Sequence, residues 1–200
     1  MSDHLTIAFV TAALHDIVQA AVQDVAPGVV VRVGPPRAAT PGEKEVNLCL
    51  YHLTPNAQLR NNDLPTRNAA GELVARPQVA IDLHYLISFS SEDHLATELM
   101  LGKVLTALHA APVLTGAELR RTVRARSAFA FLRDSDLPRQ LDRIKIVPQT
   151  LTLDELAKLW TVFFQIAHRP SLSYIASAVL LDADGGPIDA PRRARSAVTA

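Results

Sequence analysis

Apolar residues recur at intervals of three and four over the first segment of the chain, from Leu5 to Val22. This spacing puts them on one side of a helix, so the pattern predicts an amphipathic helix. The next apolar run, Val29–Val33, is short and β-branched, which favours a strand. Val46–Thr54 is apolar at both odd and even positions, as in a strand that is covered on both faces. We therefore expect one helix followed by two strands, the second of them central in its sheet.

A long strand is predicted for Gln78–Ser90, where apolar and polar residues alternate. Alternation puts one face of the strand on a helical layer and leaves the other face either polar or in contact with something else. At about 3.3 Å per residue the strand reaches roughly 40 Å, so part of it is expected to project beyond the domain. The 23 residues that connect the two long strands, Pro55–Pro77, have little to bury. Structureless connections of this length are usually functional or disordered.

A helix is predicted directly after this strand, over Glu92–Ala111, with Ser91 as its N-cap. Its expected apolar side consists of Leu95, Leu99, Leu101, Leu105 and Leu108. Pro112 ends the helical pattern, because proline cannot continue a helix. A capping-box sequence at Thr115–Glu118 then predicts the start of a further helix.

The last third of the chain returns to strand and helix patterns. Arg143–Val147 predicts a short strand, and a second capping box, Thr152–Glu155, opens a helix over Leu153–Ile166. A closing strand is predicted for Leu172–Leu181. The sequence therefore predicts an α+β fold: a single mixed, mainly antiparallel sheet of four or five strands that is flanked by helices.

The domain organisation follows from the composition near the C-terminus. Residues 1–182 contain all of the predicted elements and are expected to form one domain. Residues 183–200 are small, polar and basic, so we expect a flexible C-terminal tail.

Charge is distributed unevenly along the chain, although the formal net charge is zero. Residues 1–100 carry a net charge of −5 and residues 101–200 a net charge of +5. Zero net charge is not typical of a nucleic-acid-binding protein. An acidic half and a basic half suit head-to-tail packing of identical subunits, although two simply solvated faces would give the same totals. The basic segment Arg120–Lys145 is the expected positive patch, with Arg120, Arg121 and Arg124 as candidate subunit contacts.

The cellular compartment is suggested by two features of the chain. No apolar run approaches the roughly 20 residues that span a bilayer, and the N-terminus lacks the basic residues of a signal peptide. Cys49 is the single cysteine, so the chain has no internal disulfide and suits a reducing compartment. We expect a cytoplasmic protein in which Cys49 serves packing.

Asp82 and His84 are the best candidates for enzyme chemistry. They lie two residues apart on a predicted strand and therefore share a face, and His52 on the neighbouring strand can join them if the register allows. These are metal-ligand and acid–base residue types, so a small metal-dependent enzyme is one hypothesis. A structural or interface role for the same groups is the stronger one. The sequence contains no glycine-rich phosphate loop, no G-x-S-x-G motif and no zinc-like cluster of Cys and His.

Several runs of the chain carry a resemblance to a known family. They are VNLCLYHLTPNAQLRNNDLP, RPQVAIDLHYLISF, ELMLGKVLTALHAAPVLTG, LTLDELAKLWTVFFQ and SLSYIASAVLLD, which include the motif Y-x-L-x-P-N-x-x-L-R-N followed by D-L-H-Y-L. In order and spacing the chain resembles, from Leu5 to Asp182, the cap or tail-terminator proteins of bacterial contractile injection systems. These phage-tail-like assemblies contract a sheath around an inner tube.

The resemblance implies a tail-terminator fold and a ring, expected to be a hexamer, that closes the distal end of the tube and sheath. The implied partners are other copies of the chain, the inner tube protein and the sheath protein, without nucleic acid or membrane. It implies no enzymatic activity and no cofactor or metal. Longer members of the family carry a further C-terminal segment, so a sheath-gripping role of that segment is not carried over.

The loop after Thr54 is the expected contact with a neighbouring subunit. Asn56, Arg60 and Asn61 lie in the motif that resembles the family, and Asn62 and Arg67 are added because they lie in the same polar loop. Arginine suits such contacts, because its planar guanidinium makes several hydrogen bonds at once. The alternative is that the loop residues tie the loop to their own domain. A monomeric adaptor that binds one partner through residues 55–77 also remains open.

Overall fold

The computed structural model describes residues 4–59, 78–125, 131–132, 144–164 and 166–182, with the backbone alone for Glu118 and for residues 123–125. The helices are α1 (Thr6–Val22), α2 (Ala96–Ala110), α3 (Gly116–Ala125) and α4 (Leu153–Val162). The strands are β1 (Val30–Val33), β2 (Glu45–Pro55), β3 (Gln78–Ser90), β4 (Val113–Leu114), β5 (Ile144–Pro148) and β6 (Ser171–Asp182). The predicted tail 183–200 lies outside the described residues. No described helix is long and apolar enough to cross a membrane.

All six described strands form one sheet, in the order β1-β2-β3-β6-β5-β4. β1 pairs with β2 in parallel and every other pair is antiparallel, which confirms the predicted mixed, mainly antiparallel sheet. The structure has one strand more than the upper end of the predicted four or five, because β4 has only two residues and such a short strand leaves no alternation to detect. β2 lies between β1 and β3, as predicted for a strand covered on both faces.

The main core lies between one face of the sheet and helices α1, α2 and α3. α1 buries Phe9, Val10, Leu14, Val18 and Val22, which matches the predicted helix. The sheet contributes fully buried residues from β2 and β3, and these are Val46, Leu48, Leu83, Tyr85, Ile87 and Phe89. Full burial of one large apolar side chain stabilises the fold by about 1.5–3 kcal/mol. Because most of the buried apolar side chains lie on this face, it contributes most of the hydrophobic stabilisation.

α2 begins later than predicted and buries a different side. Its first residue is Ala96, preceded by Leu95 in the left-handed conformation with φ 60°. The Ser91 hydroxyl accepts a hydrogen bond from the Asp93 amide at 3.0 Å, in a turn before the helix and not at its cap. The side that faces the core consists of Ala96, Met100, Val104 and Leu108. Leu95, Leu99 and Leu105, predicted to be buried, are exposed. α2 therefore has two neighbouring rows of apolar side chains along its surface, one buried and one exposed. Packing against α1 buries the row that contains the smaller residues.

α4 covers the opposite face of the sheet. Its capping box is present as predicted: the Glu155 carboxylate accepts from the Thr152 amide at 2.8 Å, and the Thr152 hydroxyl accepts from the Glu155 amide at 3.2 Å. The helix ends at Val162 and not at the predicted Ile166. Beneath it lies a small second cluster of buried side chains, Cys49, Leu86 and Trp160. Trp160 is the only residue that α4 buries, so this cover is much thinner than the one on the main core.

β3 was predicted to project in part beyond the domain, and the structure pairs it along its whole length instead. Its partner β6 matches it from Gln78 opposite Asp182 to Ser88 opposite Ser171. The two strands have 13 and 12 residues, so the far half of β3 is held in the sheet. This half of the sheet also holds the end of β2, where the loop predicted to be functional begins.

Candidate interaction surface

Asn56, the first residue after β2, anchors the start of the predicted interface loop within its own subunit. Its side-chain amide donates hydrogen bonds to the Asp82 carboxylate at 2.8 Å and to the Ser177 hydroxyl at 3.1 Å. Its side-chain oxygen accepts from the amides of Gln58 at 3.1 Å and Leu59 at 2.9 Å. Asn56 is only 4% exposed. These hydrogen bonds tie the start of the loop to its own domain, which was the alternative role for Asn56. The contact of Asn56 with a neighbouring subunit stays a prediction.

Asp82 holds together the irregular part of the sheet. Between Ala176 and Val179, β6 has one residue more than the facing part of β3, which forms a β-bulge. Ala178, inside the bulge, has φ 64°, a conformation that is costly for a residue with a Cβ. One oxygen of the Asp82 carboxylate accepts from the Ala178 amide at 3.1 Å and from the Ser177 hydroxyl at 2.8 Å. The carboxylate thus satisfies the Ala178 amide inside the bulge and the neighbouring Ser177 hydroxyl.

His84 lies in a second polar network next to Asp82. Its Nδ1 is 3.1 Å from the Gln149 side-chain oxygen, and its Nε2 is 2.9 Å from the Thr54 hydroxyl. The same Gln149 oxygen accepts from Tyr51 and from Ser173, each at 3.1 Å. An amide oxygen only accepts hydrogen bonds, so a neutral His84 carries its proton on Nδ1 and accepts from Thr54 through Nε2. The network joins β2, β3 and β6 to the end of β5.

These contacts bear directly on the hypothesis of an enzyme site at Asp82 and His84. His52 does lie opposite His84 in the β2–β3 register, with 5.4 Å between the ring centroids. However, Asp82 and both ring nitrogens of His84 have partners within the chain. Among the described residues no group of three or more His, Cys, Asp or Glu side chains is arranged to hold a metal ion. The arrangement is that of a structural network and gives the enzyme hypothesis no support.

The basic residues predicted as subunit contacts lie partly within the described chain. Arg120 and Arg121 are exposed on α3, whose buried residues Leu119 and Thr122 face the core. Arg124 is in the same helix, with only its backbone described. Arg60, Asn61, Asn62 and Arg67 lie outside the described residues. The structure therefore puts two of the predicted residues where a neighbouring subunit can reach them.

A groove along the exposed edge of β2 was not predicted. The β1–β2 ladder ends at Val33 opposite Leu48, and the Gly34 amide donates the last bond, to the Leu48 carbonyl at 3.0 Å. Gly34 has φ 124°, a conformation that favours glycine, and there the chain turns away from the sheet. In the part of the chain that the structure describes, no strand pairs with this edge beyond Leu48. β2 itself runs on to Pro55, and the space beside it has a volume of about 650 Å³.

The groove is lined mainly by apolar side chains from two helices, from the neighbouring ends of β1 and β2, and from Phe131. Ala8, Thr11 and Ala12 of α1 form one wall, and Leu159, Val162 and Phe163 at the end of α4 form the other. Cys49 lies at its base, 5% exposed, and burial raises the pKa of its thiol. A neutral thiol is a weak nucleophile, so Cys49 is a packing residue, as predicted. The signal that would have revealed the groove is the length difference between β1 and β2.

A comparison of the whole sequence with known families decides the family. The family described as the Pvc16 N-terminal domain matches residues 9–194, which is nearly the entire chain. The chain belongs to the Pvc16 N-terminal domain family. This confirms the resemblance to cap proteins of contractile injection systems found in the sequence runs. A search among curated proteins found no match.

Two solved structures share the fold of this family member. One is a sheath/tube terminator of an extracellular contractile injection system, PVC, in the extended state: the TM-score is 0.56 and the identity 20%, over 87% of this chain and 57% of that chain. The other is the tube-terminating cap of the anti-feeding prophage, AFP: the TM-score is 0.59 and the identity 22%, over 95% of this chain and 60% of that chain. The chain spans less than two thirds of either structure, and the likeness confirms the predicted tail-terminator-like fold.

Proposed function

We propose that this chain is a non-enzymatic assembly protein that caps the distal end of the tube in a contractile injection particle. Its copies form a ring that adds to the last ring of the tube or sheath and stops further polymerisation. The observation that carries the proposal is the fold shared with a tube-terminating cap over 95% of this chain. The family match and the similarity to a sheath/tube terminator support the same role.

Ring formation is supported by the difference between the two halves of the chain. A closed ring of identical subunits joined head to tail needs two different, complementary patches on each subunit. The first 100 residues carry a net charge of −5 and the last 100 a net charge of +5. Arg120 and Arg121 are exposed on α3, and complementary charges of this kind steer association and select the partner surface. Six copies per ring is the number we propose.

Contacts with the tube and the sheath are supported by exposed apolar side chains at two places. Leu95 and Leu99, at the start of α2, are each more than half exposed. Leu153, Val162 and Phe164, at the two ends of α4, are 85%, 76% and 81% exposed. Large exposed apolar groups in clusters mark protein–protein contacts. The tube protein is the first partner that we propose, with the sheath protein as the second.

The native mass of the purified chain over a concentration series is the first test. Sedimentation should show a discrete hexamer, either alone or once tube protein is added. Electron microscopy of tube protein polymerised with and without the chain should then show shorter tubes with the chain bound at one end. A monomer that neither binds tubes nor limits their length would contradict the proposal and favour the adaptor hypothesis. Stoichiometric bound metal in such a monomer would favour the enzyme hypothesis instead.

A further inference from the structure

The turn before α2 presents an apolar side chain in a costly backbone conformation. Leu95 has φ 60° and is 56% exposed. Such strain persists only where the surrounding structure holds it in place. The segment before β2 holds this turn at two points. The Gly42 amide donates to the Glu92 carboxylate at 3.1 Å, and the Lys44 ammonium lies 2.8 Å from the Asp93 carboxylate.

Leu95 belongs to an apolar pair with acidic neighbours. Leu99 lies four positions further along and is 54% exposed, so the two leucine side chains are neighbours on the surface of the helix. The carboxylates of Glu92, Asp93 and Glu98 are close to them in the chain, and all three residues are exposed. These five residues form what we call the α2 patch. An apolar centre with an acidic rim suits a partner surface that carries basic groups.

α3 of the same chain carries a surface of the required charge. Arg120 and Arg121 are exposed on this helix, in the basic half of the chain. α1 packs against both α2 and α3, so the two charged surfaces lie on different helices of one subunit. Two α2 patches would repel each other because both are acidic. A head-to-tail arrangement instead brings the α2 patch of one subunit to α3 of the next.

We infer that the α2 patch of each subunit docks on α3 of its neighbour, beside Arg120 and Arg121. The inference rests on the proposed function for the existence of a ring, and it adds the two surfaces that meet in that ring. The leucines are covered at this contact, and the carboxylates meet guanidinium groups, which bind carboxylates through two parallel hydrogen bonds. The exposed apolar residues at the ends of α4 are then left for the tube and the sheath.

Two variants, each defective in one surface, test this pairing. The α2 variant is Leu95→Gly with Leu99→Ala, and the α3 variant is Arg120→Glu with Arg121→Glu. Each variant alone lacks one surface at every contact, so under the conditions in which the parent forms rings each should need about tenfold or more protein to assemble. An equal mixture keeps one intact contact, from the α2 patch of the α3 variant to α3 of the α2 variant. Sedimentation of the mixture should therefore show a heterodimer that does not grow further.

The controls separate a lost contact from a lost fold. Leu105→Ala with Leu153→Ala removes two exposed leucines elsewhere on the subunit, and its rings should form as in the parent. Glycine adopts the left-handed conformation without strain, so Leu95→Gly should melt at a higher temperature than Leu95→Ala, although both should weaken the rings.

Three results would overturn the inference: intact rings of the α2 variant, a mixture that stays monomeric, or rings that the control variant weakens equally. If the α2 variant forms intact rings that still limit tube length, only this contact fails and the proposed function stands. A parent chain that forms no rings, with or without tube protein, also overturns the inference. Its effect on tube length then decides separately whether the proposed function fails.

Discussion

The carboxylate of Asp82 accepts a hydrogen bond from the backbone amide of Ala178 at 3.1 Å, across the bulge between β3 and β6. The same oxygen accepts from Asn56 and Ser177, both at 2.8 Å. One side chain therefore connects the end of β2, the middle of β3 and the bulge of β6. The residues that looked most like an enzyme site hold the sheet together at the point where the predicted interface loop begins.

Replacement of Asp82 should destabilise the fold. Asp82→Ala leaves the Asn56 amide, the Ser177 hydroxyl and the Ala178 amide without this acceptor, and groups unsatisfied in this way cost about 1–3 kcal/mol of unfolding free energy. Urea unfolding of the purified chain measures the loss. Asp154→Ala is the control, since Asp154 is exposed and its ion pair is with the equally exposed Lys158, so its change should stay within about 0.5 kcal/mol. Equal stabilities of the two variants would show that the Asp82 network is unimportant.

Asn56 allows the intramolecular and the interface roles to be separated. Asn56→Ala removes both donor contacts and both acceptor contacts of a buried side chain, so we expect a loss of about 1–3 kcal/mol in the isolated subunit. Denaturant unfolding at a concentration below ring formation measures this loss, and Gln58→Ala, which keeps the backbone amide, is the matched control. A variant with unchanged subunit stability but weaker rings would instead assign Asn56 to the subunit interface.

Charge reversal on α3 should weaken ring formation without unfolding the subunit. Arg120→Glu combined with Arg121→Glu changes two exposed positions, so the circular dichroism spectrum and melting temperature should stay close to those of the parent. The loss of complementary charge should raise the concentration at which rings form by about tenfold or more. Sedimentation over a concentration series provides this value. The control, Lys103→Glu with Lys158→Glu, makes the same change in net charge on α2 and α4, and rings that respond equally to both pairs would remove the specific role of α3.

The start of α4 should respond to acid through Glu155. The backbone amide of Thr152 donates to the Glu155 carboxylate, and the Thr152 hydroxyl adds a second bond, so the pKa of this carboxyl lies below its ordinary value. The contribution of the capping box to helix stability is therefore fully present above the ordinary glutamate pKa. It is lost as the pH falls through the lowered value in the folded chain.

Amide exchange or NMR signals of the first turn of α4, followed from neutral pH into acid, would show this transition. Glu155→Gln should remove the pH dependence at this turn while leaving that of the rest of the chain. Titration of Glu155 at or above its ordinary pKa would contradict the capping-box geometry.

Much of the fold was predictable because its signals are local. The three-and-four spacing of α1, the alternation of β3 and the box formed by Thr152 and Glu155 each depend on residues a few positions apart. Such patterns reflect the helix and strand periods themselves, so tertiary contacts seldom change them. α2 shows the limit, since two of its adjacent rows are apolar and the sequence alone does not select the one that faces α1.

The candidate site was predictable only in part. The motif around Asn56 and the exposed arginines of α3 could be named from the sequence, and the spacing of Asp82 and His84 showed a polar cluster. The partners of that cluster were not visible, because Ser177 is 121 positions from Asn56 and Gln149 is 65 positions from His84. The same holds for β4, whose two residues acquire a strand conformation only by pairing with β5.

The sequence by itself determined the family, the α+β class and nearly all of the helices and strands, because these depend on local periodicity and on motifs read in order. Only the tertiary structure decided which row of α2 is buried, that Asn56 and Asp82 bind one another, and that β1 stops short of β2. Those outcomes depend on strand register and on packing between segments that are distant in the chain. The groove beside β2 belongs to this second group: it exists because two neighbouring strands differ in length and two helices from different parts of the chain flank the difference.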